Sequence, residues 1–276
     1  MRRTLTLLLG GVAMFVLLAA LYIGVLWLRL PDIGGLGDRG DPGQSEFMRT
    51  SSCDTIEFQY RPLDDIDPRL GCALVWAEDL HFFHHDGVDW AALRNAARAN
   101  WDAGRILRGA STIPMQLARN LYLTPSRVYS RKLREIFLAH RLIERYQRLR
   151  LLEVYLNVVE WAPCVYGAEA AARHYFGHGA RKLDVAEATF LAAMVPRPGS
   201  PPGTVRGDRT RLQQKQRRII TNFVAGGLVS RADSREALQG VVGLWHRGWR
   251  GHASAVAAAA PRSWYRRDCG TGVLKN

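Results

Sequence analysis

The chain has 276 residues, 47% of them apolar and 23% charged, which provides for a sizeable core in one or two domains and excludes a chain disordered as a whole. Lys and Arg number 38 against 25 Asp and Glu, a net charge of +13 with a pI near 10.2, so the surface suits polyanions: nucleic acid, anionic lipid or phosphorylated substrates. Cys53, Cys72, Cys164 and Cys269 form no C-x-x-C pair and no zinc-like spacing; free thiols and a disulfide stay equally open.

Met1-Arg2-Arg3 precedes an uncharged run from Thr4 to Leu28. About 25 residues at ~1.5 Å each reach ~37 Å, enough to cross a ~30 Å hydrocarbon core with some tilt. A signal peptide has a shorter apolar region and a small-residue cleavage site after it. Here the run ends Trp27-Leu28-Arg29-Leu30-Pro31, so residues 1–30 are expected to form an uncleaved transmembrane anchor with a short cytoplasmic N-terminus. Arg2 and Arg3 hold the N-terminus inside, with Arg29 acting against them. The bulk of the chain then lies outside the cytoplasm, and its positive charge meets a membrane surface and no nucleic acid.

Residues 31–50, rich in Gly and Asp, read as a linker. From Ser51 the patterns are mostly helical. Ala91 to Asn100 has no breaker, and Leu133, Ile136, Phe137, His140 and Ile143 mark one face of an amphipathic helix. Leu149, Leu152 and Leu156 continue at spacings of three and four. Ala186 to Val195 is an apolar helix stopped by Pro196, Pro198, Pro201 and Pro202. Thr210 to Gln239 reads as helical and basic. Period-two runs are few, so the class is mainly α.

Three stretches bear chemistry. The first runs Glu78-Asp79-Leu80-His81-Phe82-Phe83-His84-His85-Asp86-Gly87, after the apolar Ala73 to Ala77. An apolar, aromatic setting suits Glu78 to proton transfer, although a solvated helix end has the same composition. Three histidines raise metal ligation, but no H-E-x-x-H accompanies them. The second, Gly109 to Asn120, is a tight loop feeding a helix that Ser111 or Thr112 can cap, with Pro114 in the first turn. Such a helix start can take an anion or be an ordinary cap. The third holds Arg127, Arg131, Lys132, Arg134, Arg141, Arg145, Arg148 and Arg150 against Glu135 and Glu144. That is a solvated helix face or an anion clamp, and Glu135 among its cations suits orienting work better than proton transfer.

In order, these residues read E-D-x-x-F-x-x-H-x-G over 78–87, then G-x-S-T and Q-x-x-R-N within 109–120, R-K-x-x-E over 131–135 and L-E-x-Y-L-N over 152–157. Val165 to Ala172, Tyr175-Phe176-Gly177 and Leu191 to Pro196 extend the series. The set resembles the peptidoglycan glycosyltransferases of glycosyltransferase family 51, from about Tyr60 to Pro202. Within them it is similar to the monofunctional biosynthetic transglycosylases. The stretch after Pro202 is short and has no S-x-x-K or K-T-G, so no transpeptidase domain is expected.

The resemblance implies a mainly α, lysozyme-like fold with a head and a membrane-facing jaw, a glycosyltransferase domain over 51–225 and a basic extension over 226–276. It implies polymerisation of lipid II in cell-wall biogenesis, with the enzyme held at the bacterial inner membrane and its catalytic domain periplasmic. Glu78 is the expected general base and Glu135 the second glutamate. Asp79, Phe82, His85, Thr112, Gln116, Arg119, Arg127, Lys132 and Arg134 are the expected substrate-binding residues, with the cations on pyrophosphate. The expected partners are lipid II, the growing glycan chain, the membrane, and cell-division or wall-synthesis proteins. The only cofactor left open is a divalent cation, Mg or Mn. Ala110, Pro114, Met115, Arg119, Arg148 and Ala162 depart from the usual pattern and bring the loop's behaviour into question. A glycan-cutting lysozyme-like enzyme and a silent scaffold are the other readings.

Overall fold

The computed structural model describes residues 2–107, 109–124, 129–195, 206–246 and Cys269. The first helix, α1 (Arg2–Leu28), contains an apolar stretch, Leu8–Leu28, long enough to cross a membrane. A short α2 (Glu46–Arg49) follows. Then come α3 (Pro68–Glu78), α4 (Trp90–Asp102), α5 (Ile113–Tyr122), α6 (Tyr129–Arg145) and α7 (Arg148–Val158). A three-stranded sheet is built from β1 (Glu57–Phe58), β2 (Glu160–Ala162) and β3 (Val165–Tyr166). The central β3 pairs parallel with β1 and antiparallel with β2. Four helices complete the order: α8 (Ala168–Phe176), α9 (Val185–Met194), α10 (Arg206–Ala225) and α11 (Arg231–His246). The chain is mainly α, as expected. The basic stretch read as helical from Thr210 to Gln239 lies in two helices, parted near Gly227, whose φ of 72° follows the end of α10.

Local sequence explains the helix starts. Asp67 caps α3, with Pro68 in its first turn; Thr112 caps α5, with Pro114 in its first turn. Asp184 and Glu187 form a reciprocal capping box on α9. The core gathers Phe82, Tyr155, Trp161, Phe190 and Phe223, all fully buried, where α3, α9 and α10 pack together and α5 lies against α6 and α7. Gly87, at φ 98°, approaches α6 so closely that a Cβ would stand 2.7 Å from the Ala139 carbonyl carbon. That contact holds the loop after α3 against α6.

Residues 31–50, expected as a free linker, are docked. Ile33, Leu36 and Met48 are buried in the main core. Arg150 donates to the carbonyls of Leu36 at 2.6 Å and Gly40 at 2.7 Å, and the Tyr146 hydroxyl donates to Ile33 O at 2.6 Å. A guanidinium can satisfy several carbonyls at once, which a Gly-rich segment leaves unpaired. Trp27 of α1 also meets Phe137 of α6 edge-on. The last turn of α1 is thus tied to the helix that carries Lys132 and Glu135. Two disulfides resolve the open cysteine question: Cys53–Cys164 joins the segment after α2 to the β2–β3 turn, and Cys72 pairs with Cys269. Of the extension over 226–276, residues 247–268 and 270–276 lie outside the described residues.

Burial pushes the Asp67 carboxyl up to about 6, against the pull of Arg69 at 3.3 Å. The folded chain therefore binds this proton more tightly than the unfolded chain does. That contribution to stability is complete below about pH 4 and is lost as pH rises through about 6. Melting temperatures of wild type and Asp67→Asn near pH 4 and pH 7 should diverge, with wild type comparing less well at pH 7. An equal difference at both values would contradict this.

Candidate active site

Glu78 ends α3 and faces a cleft of about 560 Å³, lined also by Phe47, Ser111, Gln116, Arg119, Asn120, Glu160, Tyr166 and Lys215. On α5, Gln116, Arg119 and Asn120 fall at i, i+3 and i+4, so one helix face presents all three. Gln116 Nε2 donates to Glu78 Oε2 at 3.1 Å, and its own Oε1 accepts from the Tyr155 hydroxyl at 2.9 Å. Burial raises the Tyr155 phenol well above its ordinary range, which keeps it a donor. Lys215 of α10 reaches across with Nζ 2.7 Å from Glu78 Oε1. Both carboxylate oxygens are therefore held, by donors from α5 and α10.

Beyond the Ser111 wall stands the second glutamate. Glu135 is buried on α6 and pairs with Lys132 at 2.8 Å and Arg131 at 3.3 Å. Lys132 also donates to Ser111 Oγ at 2.9 Å, linking α6 to the cleft's rim. The Arg119 guanidinium lies over the Phe47 ring, 5.9 Å from its centroid. Among the described residues, Arg119 Nε and Arg134 Nε are buried without a hydrogen-bond partner. A buried donor left unmade costs roughly 1–3 kcal/mol. At Arg119, which lines the cleft, an anion accepting from Nε would remove that cost.

The structure separates the expected site residues into two groups. Glu78, Gln116 and Arg119 line the cleft, Lys132 and Glu135 stand beside it through Ser111, and Arg134 is on the same helix α6. Phe82, Asp79, His85 and Thr112 do not line it. Phe82 is fully buried in the core, because the turn after α3 points it inward against Phe83. Asp79 accepts from Ile113 N at 2.9 Å and meets His85 Nε2 at 2.8 Å, so the pair fastens α3 to the start of α5. Thr112 is spent on its cap and on a 2.5 Å bond to Gly87 O; its neighbour Ser111 is the hydroxyl in the cleft. These four support the site from behind. Arg127 lies outside the described residues.

The histidines serve carboxylates too: His81 meets Asp89 at 2.6 Å, and Asp89 caps α4. Among the described residues, no group of three His, Cys, Asp or Glu could hold a metal ion. The unusual Met115 is fully buried with Val88 and Ala139, filling the joint between the loop at Gly87 and α6. Pro114 sits in the first turn of α5, where its missing N–H costs nothing. The departures at 114 and 115 are thus accommodated by the helix start and the joint beneath it.

Sequence reasoning missed Phe47, Asn120, Glu160, Tyr166 and Lys215. Phe47 and Lys215 come from segments read as linker and basic helix, and only tertiary packing brings them to Glu78. Burial raises the Glu160 carboxyl above its ordinary range, and no local pattern marks that residue.

A family model described as Transglycosylase matches residues 45–224. The relatives that the chain matches include proteins named biosynthetic peptidoglycan transglycosylase. That of Alcanivorax borkumensis is 43% identical over 159 residues, covering 57% of this chain and 65% of the relative. The Dechloromonas aromatica protein is 40% identical over 166 residues, 57% of this chain and 72% of the relative. The protein of Bordetella pertussis is 44% identical over 170 residues, 57% of this chain and 70% of the relative. The chain thus spans about two thirds of these proteins, just under that share for the first.

Proposed function

The chain belongs to the transglycosylase family, and we propose that it is a peptidoglycan glycosyltransferase that polymerises lipid II into glycan strands at the outer face of the bacterial cytoplasmic membrane. One observation carries the reading. A held carboxylate, Glu78, shares a cleft with Arg119, whose buried Nε has no partner among the described residues. The acceptor sugar's 4-hydroxyl gives its proton to Glu78 as its oxygen attacks the anomeric carbon of the growing chain. The new C–O bond forms while the bond to pyrophosphate breaks, and that electron pair leaves with undecaprenyl pyrophosphate. Attack opposite the leaving group turns the α linkage into β. Arg119, Lys132 and Arg134, with Arg127 assigned the same role, offset the charge gathering on pyrophosphate. Glu135 holds Lys132 and Arg131 in place for that task and takes no proton.

A polyprenyl substrate stays in the bilayer, so the enzyme must be held there. The apolar α1 supplies an anchor. Trp90, Trp101, Ile106 and Leu107 form an exposed apolar edge around α4, suited to lie against lipid as the jaw. With Arg2 and Arg3 inside, a periplasmic reporter fused after Gln44 should be active. Activity from a cytoplasmic reporter alone would overturn the topology.

The test of the function is lipid II given to the purified full chain in detergent, with preformed glycan in parallel. Lengthening strands are expected from lipid II. Binding without polymerisation would make the protein a scaffold, and shortening of preformed glycan would make it a lytic enzyme.

A further inference from the structure

We infer that Lys215 is a positioning residue for the Glu78 base, so that the catalytic unit reaches into α10. The inference rests on the glycosyltransferase reading above. Lys215 Nζ lies 2.7 Å from Glu78 Oε1, across 137 residues of sequence, and both side chains are largely buried, at 26% and 11% exposure. Exposed lysine pairs are worth little because the long chain wanders and water screens it. This one is not free to wander. The next residue, Gln216, is fully buried and donates to Ala186 O of α9 at 2.7 Å. Ile219, Ile220 and Phe223 continue the same helix into the core. The backbone at 215 is therefore fixed on α9, and the ammonium is aimed at one carboxylate oxygen.

A general base needs one lone pair directed at the incoming hydroxyl within about 2.6–3.2 Å. A carboxylate on a helix end rotates about its last two bonds unless both oxygens are held. Gln116 holds Oε2 and is itself fixed by buried Tyr155; Lys215 holds Oε1. Removing either leaves a carboxylate that samples directions away from the acceptor, and small misplacement costs rate steeply. Lys215 takes no proton and makes no bond in the reaction. It acts by direction. Since substrate affinity resides mainly in the pyrophosphate cations, its loss should fall on kcat and spare KM.

The test compares wild type, Lys215→Met, Lys215→Arg, Lys215→Ala and Glu78→Gln on lipid II, with melting temperatures for each. Lys215→Met should lose about 10- to 100-fold in kcat, with KM within a few-fold of wild type, because orientation is lost and binding is kept. Lys215→Arg keeps the charge in a different donor geometry and should recover part of the rate. Lys215→Ala should be rescued by added ethylammonium or propylammonium, saturably, and Glu78→Gln should not. A merely structural lysine would give no amine rescue. Wild-type kcat in Lys215→Met, or a lowered kcat with neither Arg nor amine recovery, would overturn the role of Lys215 while Glu78→Gln stays inactive. An inactive wild type would overturn the glycosyltransferase reading and this inference with it, whereas a fully active Glu78→Gln would leave that reading standing and overturn Glu78 as the base, and with it the role of Lys215.

Discussion

Glu78→Gln should slow lipid II polymerisation by at least ~10²–10⁴, the usual worth of general base catalysis. The amide keeps the size of the carboxylate and can still bond to Gln116, but it cannot accept the hydroxyl's proton. Lys215 would then face an amide, so part of the loss comes from a misdirected side chain. Folding should survive, because Glu78 is at a helix end facing the cleft and outside the apolar core. Glu135→Gln is the comparison. It removes a charge that fixes Lys132 and Arg131, so it should weaken leaving-group stabilisation, and it should respond to substitution of Lys132 far less than additively. Steady-state turnover of the two variants and the Glu135–Lys132 double variant separates a base from an orienting group. Wild-type turnover in Glu78→Gln would remove Glu78 from the mechanism.

Lys132→Ala should cost about 10- to 150-fold in rate, from the roughly 1.5–3 kcal/mol of a hydrogen bond to a charged group realised in the transition state. Its ammonium now bridges Glu135 and Ser111 at 2.8 and 2.9 Å, which places a positive charge on the cleft's rim. Arg119→Ala should lose a similar amount, through a guanidinium steadied by Phe47. Both losses should appear in kcat/KM, since the ground state also carries pyrophosphate. Near-wild-type kcat/KM in both variants would return α6 to the status of a solvated basic face.

Much of this site is written locally. The helix α6 follows from its apolar stripe, and the caps at Asp67, Thr112 and Asp184 follow from short polar residues before apolar runs. The two glutamates and the cations of α5 and α6 could be singled out because they fall in ordered motifs that resemble the family's; residue type and spacing alone left solvated faces and an ordinary cap open. Local signals do not say which of two adjacent polar residues faces the substrate. Glu78 and Asp79 differ only in where α3 stops; one faces the cleft and the other is consumed by Ile113 N and His85. Ser111 and Thr112 divide in the same way, between rim and cap. Nor could a Gly- and Asp-rich composition show that residues 31–50 are held by Arg150, because the partner lies more than 100 residues away. Lys215 reaches Glu78 across 137 residues, and Phe47 joins the cleft by its contact with Arg119.

The central claim is an inverting transfer that expels pyrophosphate, and product stoichiometry tests it most directly. Purified full-length protein is incubated with lipid II, and released undecaprenyl pyrophosphate is counted against disaccharides added to strands, with the anomeric configuration of the new linkage read by NMR. The account predicts one undecaprenyl pyrophosphate for each disaccharide joined, every new linkage β, and both products slowed at least ~10²-fold in Glu78→Gln. Undecaprenyl pyrophosphate released without strand growth, or new linkages of α configuration, would contradict it.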